Sequence, residues 1–105
     1  MDLKQLHYFL TIVEERQITA AARKLHMAQP PLSNQMKLLE SELGMQLFER
    51  GPHHIELTDA GRMLACRARQ LLDMADTARR EIDDLRRGLS GTLTLGTVSS
   101  SGNFL

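Results

Sequence analysis

Four residues in the first half of the chain share a helical spacing and a chemistry. Gln29, Ser33, Asn34 and Lys37 lie within QITAAARKLHMAQPPLSNQMKLLESELG, residues 17–44, and fall on one face of a helix. They offer amide, hydroxyl and ammonium groups and no carboxylate. From Arg16 to Leu39 there is no Asp or Glu, whereas Arg16, Arg23, Lys24 and Lys37 are cationic. Uncharged hydrogen-bonding groups near the N-terminus of a protruding helix, in a locally positive window, are what reading base edges in a DNA major groove requires. The amides of Gln29 and Asn34 can pair bidentately with adenine. Ser33 can donate to a base or a phosphate, and Pro30 and Pro31 can pack on a thymine methyl. Lys37 and Arg50 would anchor phosphates, with Arg23, Lys24 and helix N-termini adding positive potential. The competing reading of Gln29, Ser33 and Asn34 is a solvated polar face.

That face needs a scaffold. Ile18, Ala21, Ala22 and Leu25 are spaced as the apolar side of one short helix, and its three consecutive alanines let a neighbour approach closely. The run breaks around His26, Met27 and Ala28. A second helix opens at Pro30 and Pro31, where the missing N–H costs nothing. Leu32, Met36, Leu39 and Leu43 form its apolar side, and Gly44 stops it. Upstream, Asp2 caps a helix with Gln5 in the capping-box position. Leu3, Leu6, Phe9, Leu10 and Val13 are its apolar face. Downstream, Leu47 with Phe48 and Ile55 with Leu57 read as two short strands, turned by Arg50-Gly51-Pro52-His53. A hairpin beside two such helices is a wing whose tip, through Arg50 and His53, could follow the sugar–phosphate backbone. The alternative is a solvated hairpin in which Arg50 pairs with Glu49 or Glu56.

Thr58 caps a long helix with Asp59 in its first turn. Leu64, Ala68, Leu71, Ala75, Ala78, Ile82, Leu85 and Leu89 alternate steps of four and three, a heptad seam. Arg67, Arg79, Glu81 and Arg86 flank it. Such a stripe wants a second helix, most simply its copy in a partner subunit. The first turns are expected to pack on the N-terminal domain through Met63 and Leu64. Gly88, Ser90 and Gly91 are read as the helix end. TLTLGTV, residues 92–98, alternates like a strand, and one strand alone is no domain. Residues 90–105 are therefore read as the start of a further domain, expected to be flexible or borrowed into a neighbouring sheet.

Composition closes off other classes. Thirteen basic and thirteen acidic side chains give no net charge, so any attraction for phosphate must be local. One cysteine, Cys66, rules out an internal disulfide and fits a reducing cytoplasm. The opening MDLKQLHYFL is too polar to be read as a secretory h-region, and no apolar run approaches membrane-spanning length. With no Trp and few other aromatics, a base-stacking platform for single strands is not expected. His53 and His54 are adjacent and would point to opposite sides of an extended chain, so no metal site, cofactor site or enzyme chemistry is expected.

The string from LKQLHYFL through AA-x-x-L, QPP-x-S, LE-x-ELG, LFER and LT-x-AG resembles the N-terminal DNA-binding domain of LysR-type transcriptional regulators, over Met1 to about Leu89. GTLTLGT resembles the first strand of that family's effector-binding domain. The resemblance implies a mainly α fold. A winged helix–turn–helix would occupy residues 1–58, with the helix–turn–helix at about 18–37 and a small two-stranded wing at about 46–57. A dimerising linker helix would occupy 59–89. It also implies antiparallel linker-helix homodimers on interrupted palindromes in promoter DNA. By position, Gln29, Pro30, Pro31, Ser33 and Asn34 match the family's contacting stretch, and Arg50 with His53 its wing. Asn34 replaces a frequent arginine, Ala28 a frequent Ser or Thr cap, and His53 a frequent wing arginine. A small-molecule inducer would bind the absent domain, so none is expected for this chain. The rival class is a helical dimerisation or adaptor module that binds protein without reading DNA, which the neutral charge and Asn34 would suit.

Overall fold

The computed structural model describes residues 1–50 and 54–91. The wing-tip residues 51–53, His53 among them, and the strand expected at 92–98 lie outside the described residues. The chain divides into two units, Met1–Leu72 and a second from Asp73 on.

In the first unit, helix α1 spans Leu3–Glu15. The Asp2 carboxylate accepts from the Gln5 N–H at 2.8 Å and satisfies one of the orphan donors of the first turn. The helix stops at Arg16, which takes a left-handed φ of 64° and donates its N–H to Ile12 O. Helix α2 follows over Ile18–Lys24 and helix α3 over Gln29–Leu43. Between them His26 is left-handed (φ 57°), and Met27 N–H closes back onto Ala22 O at 2.9 Å. Gly44 ends α3 at φ 70°, a conformation that glycine alone adopts without steric cost.

Strand β1, Phe48–Arg50, pairs antiparallel with β2, Ile55–Leu57, placing Phe48 opposite Leu57 and Arg50 opposite Ile55. Arg50 thus belongs to a strand rather than to the turn. Ile55 N–H donates to Arg16 O at 2.9 Å, tying the wing to the end of α1. Phe9 and Phe48 rings meet at 5.4 Å between centroids, from α1 to β1. Helix α4 runs Asp59–Gly91, so Gly88 and Ser90 lie within it, not at its end.

The core is built from Leu6, Phe9, Ile12, Leu32, Leu39 and Leu47, all fully buried. Ala21 and Ala22 are buried where α2 meets its neighbours. Four apolar assignments are corrected. Leu3 and Leu43, each at a helix end, are exposed. Ile12, absent from the expected stripe, is fully buried, because α1 is covered by the wing as well as by α2 and α3. On α4, Met63 is 70% exposed, and Ala65 and Ala68 are buried instead. Small side chains let that helix settle close to the core.

Several hydrogen bonds lock α3, the wing and α4 together. Glu40 Oε2 accepts from Leu47 N–H at 2.7 Å and Phe48 N–H at 3.3 Å. Thr58 Oγ1 donates to Gln46 O at 2.7 Å and accepts from Gly61 N–H at 3.0 Å, capping α4. A Cβ on Gly61 would collide with Leu47 O and lie 2.9 Å from Leu57 Cδ2. Backbone cannot yield as a flexible side chain can. Gly61→Ala should therefore destabilise the domain by about 1–3 kcal/mol, read as a lower urea midpoint at unchanged m-value. An unchanged midpoint would mean that α4 can shift off the wing without loss.

In the second unit α4 continues as a solvated helix. Asp76 pairs with Arg79 at 3.5 Å and Arg80 at 3.0 Å, and Asp83 with Arg86 and Arg87. Exposed pairs at this spacing contribute roughly 0.3–0.5 kcal/mol each. They hold Arg79 and Arg86 along their own helix.

Candidate nucleic-acid interface

The N-terminal half of α3 carries an uncovered polar surface. Ala28 stands at its N-cap in extended backbone and offers no side-chain cap, while the prolines occupy the first turn. Gln29, Pro30, Pro31, Asn34 and Lys37 are exposed, and Ser33 is half-buried. On the reverse side Leu32, Met36 and Leu39 are buried, so the rotational setting of the helix is fixed by packing. The backbone of the outer face then keeps its place to within the rigidity of the core. This combination, a rigid back and a free amide-bearing front, is what docking into a groove demands.

The cations differ in availability. Lys37 is exposed and shares a groove with Ser33, Glu40 and Glu49. Arg23 is exposed at the end of α2. Lys24 Nζ lies 3.7 Å from a Glu14 carboxylate oxygen and 3.4 Å from one of Glu15. Its charge is thus largely answered within the chain, which demotes it as a phosphate anchor. On the wing, Glu49 stands directly opposite Glu56, and His54 Nε2 is 2.7 Å from Glu56 Oε2. Those acids lower the positive potential beside Lys37. The backbone of Arg50 lies in β1, and His53 falls among residues 51–53, outside the described set.

Two partners of this surface escape a reading of the sequence. Thr19, exposed in the first turn of α2, donates from Oγ1 to Gln29 Oε1 at 3.2 Å. Gln35 accepts from Gln5 Nε2 at 3.1 Å, bracing α3 against α1. Both pairings cross between helices. The turn at His26 brings α2 against α3, but no periodicity reveals which side chains then meet.

The seam residues divide. Ala68 is fully buried in the chain's own core and Leu64 packs against it, so neither is free to face a partner. Their place at the start of α4, over the domain, is the reason. Leu71, Ile82, Leu85 and Leu89 are exposed, Ala78 is exposed and Ala75 half-buried. Cys66 is exposed. Among the described residues no group of three or more His, Cys, Asp or Glu is placed to hold a metal, and no helix is long and apolar enough to cross a membrane.

The two-helix unit, the buttressing α1 and the two-stranded wing define the class: a winged helix–turn–helix DNA-binding domain. Residues 3–62 match the family described as bacterial regulatory helix-turn-helix protein, lysR family, and the chain belongs to it. It is 47% identical over 99 residues to the HTH-type transcriptional regulator BsdA of Bacillus subtilis (strain 168), covering 93% of this chain and 34% of that protein. It is 42% identical over 100 residues to the HTH-type transcriptional regulator BudR of Klebsiella aerogenes, covering 95% and 70%. The chain therefore spans about a third of BsdA's length. Among solved structures it resembles a BenM_DBD/catB site 1 DNA complex, with TM-score 0.81, 42% identity, 84% of this chain and 99% of that one covered. It also resembles a CbnR_DBD–DNA complex, with TM-score 0.79, 39% identity and coverage of 83% and 100%. Its function class is that of the DNA-binding domain of this family.

Proposed function

We propose that the chain reads promoter DNA with the N-terminal half of α3 in the major groove, as one half of a homodimer joined through α4. The exposed row of Gln29, Pro30, Pro31, Asn34 and Lys37 over a buried Leu32–Met36–Leu39 back carries this reading. Gln29 and Asn34 supply paired donor and acceptor atoms to base edges, Ser33 a hydroxyl, and the prolines an apolar contact for a thymine methyl. Lys37, Arg23, Arg50 and His53 serve the phosphates, and Lys24 only weakly. The exposed Leu71–Leu89 stripe pairs with its copy and sets two heads on an interrupted palindrome. A regulator acting on promoter DNA works in the cytoplasm, without enzymatic chemistry of its own.

The solved complexes of the BenM and CbnR DNA-binding domains with DNA, at 42% and 39% identity, support DNA binding over a protein-only adaptor. The test is fluorescence anisotropy on duplex from the region upstream of the chain's own gene, against random duplex. Gln29→Ala should cost about 1–3 kcal/mol on the cognate site and leave random duplex almost unchanged. Equal losses on both would remove Gln29 from sequence reading. No binding at low salt would favour the adaptor.

A further inference from the structure

We propose that Thr19 is a specificity-determining positioning residue: its hydroxyl holds the Gln29 amide and sets which base that amide reads. This rests on the assignment of Gln29 above.

Gln29 is the first residue of α3 and is exposed. A glutamine there has three rotatable side-chain bonds and no packing to choose among them, so most of its orientations present nothing useful to a base. The Thr19 hydroxyl supplies the missing constraint by donating to Gln29 Oε1 across the turn, at 3.2 Å. Thr19 has far less freedom than Gln29: its one χ1 is restricted in a helix to two rotamers, and it stands one residue after the start of α2.

The bond has a directional consequence. One lone pair of Oε1 is filled, and both Nε2 hydrogens remain available. The amide then presents a donor with only one acceptor site left beside it. Adenine, which needs one acceptor and one donor, is still satisfied if the free lone pair faces the groove. Guanine, whose N7 and O6 both accept, suits the free NH₂ alone. By holding the amide so that either its free lone pair or only its NH₂ faces the groove, Thr19 sets the choice between these two purines at the position below Gln29, while touching no base.

The test is a double-mutant cycle on the full-length chain, read on four duplexes that differ only in the base pair under Gln29. Thr19→Val keeps the shape and removes the hydroxyl. It should cut discrimination among the four duplexes by roughly three- to tenfold, at unchanged salt slope and unchanged unfolding midpoint. Thr19→Ser, which restores a hydroxyl, should recover most of it. In a Gln29→Ala background Thr19→Val should change nothing. Discrimination unaltered by Thr19→Val in the wild-type background would overturn the proposal. So would a uniform loss across all four duplexes that persists with Gln29→Ala, because Thr19 would then be a phosphate contact. If Gln29→Ala alone leaves discrimination intact, the fault lies in the assignment of Gln29, and Thr19 has nothing to position.

Discussion

Raising the salt from about 50 to about 200 mM should weaken duplex binding roughly a thousandfold. Lys37, Arg23 and Arg50 are the cations assigned to phosphate in each protomer, giving about six contacts in a dimer and a slope of log K against log salt near −5. A fourfold change in salt raised to that power gives the factor. Lys24 is left out because Glu14 and Glu15 already hold it. Including it would steepen the slope to about −7, so the measurement also decides whether that ion pair opens on DNA. A titration by anisotropy from low to moderate salt is sufficient. A slope near zero would contradict phosphate anchoring altogether. Asn34→Arg adds one cation per protomer on the exposed face of α3 and should steepen the slope by about two in a dimer. The neutral chain is no obstacle to any of this. Most of its acids lie on α4 and at the end of α1, the stretch from Arg16 to Leu39 has none, and Glu40 and the wing pair Glu49 and Glu56 stand near Lys37.

Elements that rest on local rules were the most readable in the sequence. Asp2 as a cap, Pro30 and Pro31 in a first turn and Gly44 at a stop are decided within a few residues, and α1 and α3 follow those signals. The fold class was readable for the same reason, helped by a motif string with few rivals. What stayed hidden depends on contacts between elements. A one-sided stripe describes a helix with one neighbour, but α1 has several, so Ile12 was missed and Leu3 overvalued. Met63 and Ala65 both look apolar. Only the approach of α4 to the core decides that the small residue goes in and the large one stays out. Glu40 looks like any acid on a helix until its carboxylate is seen bound to two N–H groups of the segment leading into β1. Gly61 has no special φ to betray it, and its reason is a carbonyl oxygen from fourteen residues earlier. The site follows the same division. The polar face of α3 was legible as a periodicity, whereas the hold of Thr19 on Gln29 needs the angle between two helices.

Replacing one residue outside the recognition surface should have an effect comparable to salt. Ile82 is 65% exposed, lies on the heptad seam of α4, and belongs to the second unit. Ile82→Glu places a carboxylate where two helices would press apolar surfaces together. Burying each Ile82 should contribute roughly 1.5–3 kcal/mol, and the substitution replaces that gain with a desolvation cost in both protomers. Glutamate is a good helix former, so far-UV circular dichroism should remain unchanged. Sedimentation should show the loss of the dimer. Once the two heads are no longer tethered, the second half-site is bound at bulk concentration rather than at an effective concentration set by the linkage. Affinity for the full palindrome should fall by about 10²–10⁴. Affinity for a single half-site should not change, because Gln29, Ser33 and Lys37 lie in the other unit and are untouched. That contrast separates a tether from a direct contact. A variant that loses the half-site as well has a damaged head. A variant that stays dimeric and keeps the full site shows that a surface other than the Leu71–Leu89 stripe joins the protomers.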